Sequence, residues 1–242
     1  MAHRVFNIFL FEPVMSTANV AVSKPIKIRE VWSENLESEI ALLSDLVDRY
    51  PIISMDTKFP GVIFKLHEDP HAQRPSRSDH YRILKSNVDA LKLIQLGITL
   101  SDVAGNLPSL GPDGELCIWK FNFSDFDADR DMHAPDSIEL LRSQGIDIER
   151  SRRSVVDSAR FAELMMGSGL VCNDAVSWVT FHNAYAFGYL VKILTSRLLP
   201  ARIDEFMDVL KAFFGDNVYV GIMRELAWGF ESGGADFVLV LC

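Results

Sequence analysis

Apolar residues recur at helical spacing between residues 35 and 50, where Leu36, Ile40, Leu43, Leu46 and Val47 line one face. Pro51 closes that helix, because its ring cannot continue the ladder. Short apolar runs follow and predict strands over 52–55, 62–65, 93–100 and 116–123. The stretch 67–79, with Pro70 and Pro75, reads as a loop leading to a helix over 81–91, and Gly111-Pro112-Asp113-Gly114 as a hairpin-type turn. Helices dominate thereafter. Asp136 with Glu139 three residues on predicts a capping box opening a helix over 137–142, with Gly145 past its end. Asp157 is the predicted cap of a helix over 158–166 that ends at Gly167. A buried strand over 176–181 and helices over 184–194 and 203–214 complete an α+β pattern with a central sheet. There is no internal repeat or low-complexity tract.

Composition narrows this only a little. With 242 residues, 48% of them hydrophobic, the chain can bury a full core, and one domain is the economical reading. A formal charge of -9 argues against a surface coated in phosphate-binding lysines, so contact with nucleic acid is expected to be local. Cys117, Cys172 and Cys242 are odd in number and far apart, which suits a reducing compartment and gives no zinc spacing. The apolar stretch Val5-Phe6-Asn7-Ile8-Phe9-Leu10-Phe11 is too short to span a bilayer, is broken by Asn7 and is followed by no small-residue cleavage site. It reads as an extension, with Met15 and the polar lead over 16–24 as an ordinary start; no membrane association is expected.

The chemistry concentrates in Ile53-Ser54-Met55-Asp56-Thr57-Lys58-Phe59-Pro60-Gly61. Residues two apart on a strand share a face, so Asp56 and position 58 look into one site, the geometry by which an Asp-x-Glu pair holds divalent ions. Here the partner is Lys58, whose ammonium has three donors and no acceptor and cannot ligate an ion that wants oxygen.

The surrounding words carry a resemblance. Ile28-Arg29-Glu30-Val31-Trp32, Met55-Asp56-Thr57 with Phe59-Pro60-Gly61, Leu93-Ile94-Gln95-Leu96-Gly97, Phe121-Asn122-Phe123, Asp136-Ser137-Ile138-Glu139-Leu140-Leu141 and Phe187-Gly188-Tyr189-Leu190 occur in one order. That set resembles the Caf/Pop poly(A)-specific ribonucleases, the smaller nuclease subunits of the CCR-NOT deadenylase complex, and Ser168-Gly169-Leu170-Val171-Cys172-Asn173-Asp174 resembles the plant copies most. The resemblance implies a ribonuclease H-like fold of the DEDD exonuclease type, with a central mixed sheet flanked by helices. It also implies removal of AMP from mRNA 3′ ends with Mg²⁺ or Mn²⁺, partnership with the Not scaffold, the larger carbon-catabolite-repressor nuclease and poly(A), and residence in nucleus and cytoplasm. The domain reading that follows is an extension over 1–25, an incomplete Caf/Pop domain over 26–219 and a divergent tail over 220–242.

Family chemistry uses four carboxylates and a histidine around two ions, one activating water and the other stabilising the leaving oxygen. Of these the resemblance leaves only Asp56 as catalytic acid and metal ligand. Lys58 replaces the second acid, and Ala186 in Tyr185-Ala186-Phe187-Gly188-Tyr189-Leu190 replaces the third. The remaining acid and the histidine have no counterpart after Tyr219, where the family wording ceases. An ammonium in place of a carboxylate turns attraction into repulsion: at ~4 Å and an effective dielectric of ~20 the Coulomb energy is about 4 kcal/mol per unit charge product. Two placements follow for Lys58. It pairs with Asp56, supplying part of the lost metal charge and holding RNA phosphate, or it snorkels to solvent in a relaxed site, the default for a lysine.

Other constellations are structural on their face. Asp125, Asp127, Asp129 and Asp131 alternate like the start of a calcium loop, but Arg130 stands where glycine is needed and Asp136 where glutamate is, which leaves a solvated acidic loop. His67 and His71 flank Pro70 and read as loop; His182 reads as a satisfied structural histidine; Asp236 lies too close to Tyr219 to replace the last acid. Two functions therefore stand: a deadenylase weakened or silenced, and a non-catalytic partner or poly(A)-binding scaffold.

Overall fold

The computed structural model describes residues 26–66, 75–123, 125–146, 155–181 and 184–221. In chain order the elements are β1 (Ile26–Val31), α1 (Leu36–Val47), β2 (Ile52–Lys58), α2 (Arg77–Ala90), β3 (Gln95–Ser101), β4 (Ser109–Leu110), β5 (Glu115–Asn122), α3 (Pro135–Ser143), α4 (Ser158–Gly167), β6 (Ser177–Phe181), α5 (Ala184–Thr195), α6 (Ile203–Phe214) and β7 (Val218–Gly221). The strands form one mixed sheet in the order β1-β5-β3-β2-β6-β7, with β4 joined to β5. β1 runs parallel to β5, β6 parallel to both β2 and β7, and β3 antiparallel to β2 and β5. Among the described residues no helix is long and apolar enough to cross a membrane.

Period-2 alternation divides the sheet. Ile53 and Met55 of β2, Leu96, Ile98 and Leu100 of β3, and Trp119 and Phe121 of β5 are buried in the main core with Leu43, Phe161 and Leu190 from the helices. Phe161 meets Phe121 and Phe123 edge-on, and Phe214 does the same with Trp178 and Phe187. The buried Glu39 of α1 is held by both arms of Arg29 at 2.7 and 2.6 Å and by the Trp119 indole at 2.9 Å, which ties α1 to β1 and β5. Lys192 of α5 donates to the carbonyls of Val88, Asp89 and Leu91 at 2.8, 3.1 and 3.0 Å, satisfying the C-terminal end of α2; burial lowers its pKa.

Three sequence expectations are corrected. Residues 62–65 are not a strand: the N–H groups of Ile63 and Phe64 donate to Asn87 Oδ1 at 2.8 and 3.0 Å, and the Phe64 carbonyl accepts from Asn87 Nδ2 at 2.8 Å. An amide side chain has taken the bonds that a neighbouring strand would have supplied. Asp136 caps nothing, because α3 begins one residue earlier with Pro135 at its first position and Ala134 before it. The hydrophobic pattern gave no strand at β1 or β7, the two edges of the sheet. The cap at Asp157 stands, its carboxylate accepting from Arg160 N at 2.8 Å, and so does the hairpin turn, where Gly111 and Gly114 take φ of 73° and 64°.

Candidate active site

Asp56 and Lys58 lie at the carboxyl end of β2, flanked by antiparallel β3 and parallel β6. Ser54, Asp56 and Lys58 point away from the main core, as the alternation requires, while Met55 and Thr57 are buried opposite. The residue paired with Asp56 on β3 is Gly97, so bare backbone stands beside the carboxylate on that flank. On the other flank Thr180 Oγ1 donates to the Met55 carbonyl at 3.2 Å, fixing β6 where the chain passes towards α5.

Lys58 does not snorkel. Its Nζ donates to Asp56 Oδ2 at 2.6 Å, and its side chain is only 24% exposed against 68% for Asp56. The ammonium is folded back along the strand onto Asp56, which is the pairing reading of the sequence and corrects the solvent-facing one.

Phe59, the next residue, stacks on Tyr185 at 5.3 Å between ring centroids and leans on Tyr189 at 5.1 Å. This aromatic brace docks the end of β2 against the first turns of α5 and brings Ala186, 1% exposed, to the same end of the molecule. The Tyr185 hydroxyl accepts from Asn87 Nδ2 at 3.3 Å, and burial pushes the phenol up to about 12. Burial raises Tyr189 further, and its hydroxyl has no hydrogen-bond partner among the described residues. Gly188 lets α5 approach α2: a Cβ there would stand 3.0 Å from Val88 Cγ2. The brace and Asn87 were missed in the sequence. The usable signal was a polar residue between Leu84, Val88 and Leu91 on an apolar helical face.

Among the described residues the donor set does not fit a pair of divalent ions. Asp56 is already engaged by a cation, Ala186 offers a methyl group, and among the described residues no group of three or more His, Cys, Asp or Glu side chains is arranged to hold a metal. The acidic loop is satisfied from within: Asp131 Oδ2 accepts from Asp127 N at 2.7 Å, Asp127 Oδ1 from Asp129 N at 3.0 Å, Lys92 lies 2.9 Å from Asp131, and Ser158 donates to Asp125. His67, His71, His182 and Asp236 lie outside the described residues.

The sequence matches the family described as CAF1 family ribonuclease over residues 31–156. It is 50% identical over 190 residues to the probable CCR4-associated factor 1 homolog 7 of Arabidopsis thaliana, covering 78% of this chain and 68% of that protein. It is 47% identical over 191 residues to the poly(A) ribonuclease pop2 of Schizosaccharomyces pombe, covering 78% of this chain and 54% of that one. The solved structure of S. pombe Pop2p in its Mg²⁺- and Mn²⁺-bound form superposes with a TM-score of 0.67 at 45% identity, over 77% of this chain and 71% of that one. Yeast CAF1 co-crystallised with the NOT1 MIF4G domain gives a TM-score of 0.61 at 34% identity, over 78% and 66%.

The mixed sheet with Asp56 at the end of a central strand is thus a nuclease scaffold of the ribonuclease H-like class. The chain belongs to the CAF1 ribonuclease family.

Proposed function

We propose that this chain is a CAF1-family protein that does not cut RNA and instead occupies a Not scaffold that an active copy would otherwise hold. The observation that carries this reading is the Lys58 ammonium 2.6 Å from Asp56 Oδ2, with a methyl group at Ala186. With the Lys58 ammonium beside it, the negative charge of Asp56 is offset and the pair as a whole offers a dication no net attraction. Protein–protein interfaces are in general broader than a small concave catalytic site, so binding outlives the loss of that site.

The unit responsible is the domain over 26–219, acting in nucleus and cytoplasm. The partner reading is supported by the relative co-crystallised with a NOT1 MIF4G domain. The larger carbon-catabolite-repressor nuclease and mRNA poly(A) are further partners in the same assembly. Overexpression slows poly(A) shortening in cells by displacing an active subunit, equally with Asp56→Ala. Faster shortening that depends on Asp56 contradicts the proposal, as does failure to co-purify with a Not MIF4G domain.

A further inference from the structure

We propose that the Lys58 ammonium is a built-in cation that fills the place of a divalent ion at the end of β2 and makes the protein indifferent to Mg²⁺ and Mn²⁺. The inference deepens the non-cutting reading above and rests on it. Three features carry it. Lys58 reaches back 2.6 Å to Asp56 Oδ2 although water is open to it, and its side chain is the less exposed of the two. The pair is neutral, so the strand end presents no net charge to draw a dication from solution. The positions beside the pair on β3 add no carboxylate: Gly97, opposite Asp56, has no side chain, and Gln95, opposite Lys58, brings a neutral amide whose Nε2 donates to Asn122 Oδ1 at 2.7 Å. A tethered cation also costs no capture from solution, because its chain is already attached two residues away.

The consequence is chemical. A lysine donates hydrogen bonds and cannot accept them, so it holds a carboxylate or an RNA phosphate oxygen but never polarises a bound water as a metal does. A carboxylate at 58 would share the face of Asp56 and present two hard oxygen ligands together.

The test is a Mn²⁺ titration of the ion-stripped full chain, read by the electron paramagnetic resonance of free Mn²⁺ and by the thermal midpoint. The unmodified chain and Asp56→Ala should bind Mn²⁺ alike, with no midpoint shift in either. Lys58→Glu should bind at least about tenfold more tightly than the unmodified chain, and the gain should vanish when Asp56→Ala is added. If Lys58→Glu does not fold, Lys58→Gln serves, with tighter binding than the unmodified chain still expected. Mn²⁺ binding by the unmodified chain that Asp56→Ala abolishes would overturn the proposal, as would a Lys58 variant that folds and binds no better. Oligo(A) cleavage insensitive to Asp56→Ala would defeat the non-cutting reading and leave the cation assignment standing.

Discussion

Asn87 grips Phe64 at both ends of its backbone: its Oδ1 accepts from Phe64 N at 3.0 Å and its Nδ2 donates to Phe64 O at 2.8 Å. The same amide also bonds Ile63 N, Ile83 O and the Tyr185 hydroxyl, and the residue is fully buried. One side chain thus joins α2, α5 and the segment that leaves β2 after Lys58.

Asn87→Ala should therefore strand several backbone groups at once and cost roughly 2–4 kcal/mol in urea unfolding. A change within about 0.5 kcal/mol would show that water replaces the amide.

Gly61 occupies φ 90°, and a Cβ there would lie 2.3 Å from Ser137 Oγ and 2.8 Å from Ala134 Cβ. Gly61→Ala combines a left-handed backbone with a clash against the start of α3, and should cost at least about 2 kcal/mol. Chemical denaturation reads this directly; an unchanged midpoint would mean that α3 moves freely.

The helices and inner strands were legible because their apolar periods coincide with burial. Phe206, Leu210 and Phe214 fix one face of α6, and the predicted span 203–214 is the observed one. The misses have local causes. An apolar run at 62–65 looks the same whether its N–H groups meet a strand or an asparagine distant in sequence, and Pro135 outranked Asp136 because its fixed φ starts a helix without a cap. At the site, alternation put Asp56 and Lys58 on one face, but it could not choose between pairing and hydration, which differ by about 1 kcal/mol or less at an exposed carboxylate.

Ala186 is 1% exposed, so Ala186→Asp buries a carboxylate in a position that now holds a methyl group. Restoring this one acid should destabilise the fold by roughly 2–4 kcal/mol at neutral pH, measured as a fall in unfolding free energy. Stability equal to the unmodified chain would indicate a cation already present near α5.

Burial lowers the pKa of His80 from 6.5, and the neighbouring Asp79 only partly opposes this. The unfolded state then binds more protons than the folded one in the window below pH 6.5, so this residue's contribution is complete above 6.5 and is lost as pH falls towards the depressed folded value. Urea midpoints should fall between pH 7.5 and about 5, and His80→Gln should flatten part of that slope. An identical slope in the variant would assign the loss to other groups.

Whether the protein cuts RNA is read from the fate of 5′-labelled oligo(A) incubated with the purified chain in millimolar Mg²⁺ or Mn²⁺. With Lys58 on Asp56 and a methyl group at Ala186, the ladder should stay at full length. Progressive 3′ shortening that disappears on Asp56→Ala would contradict the non-cutting reading.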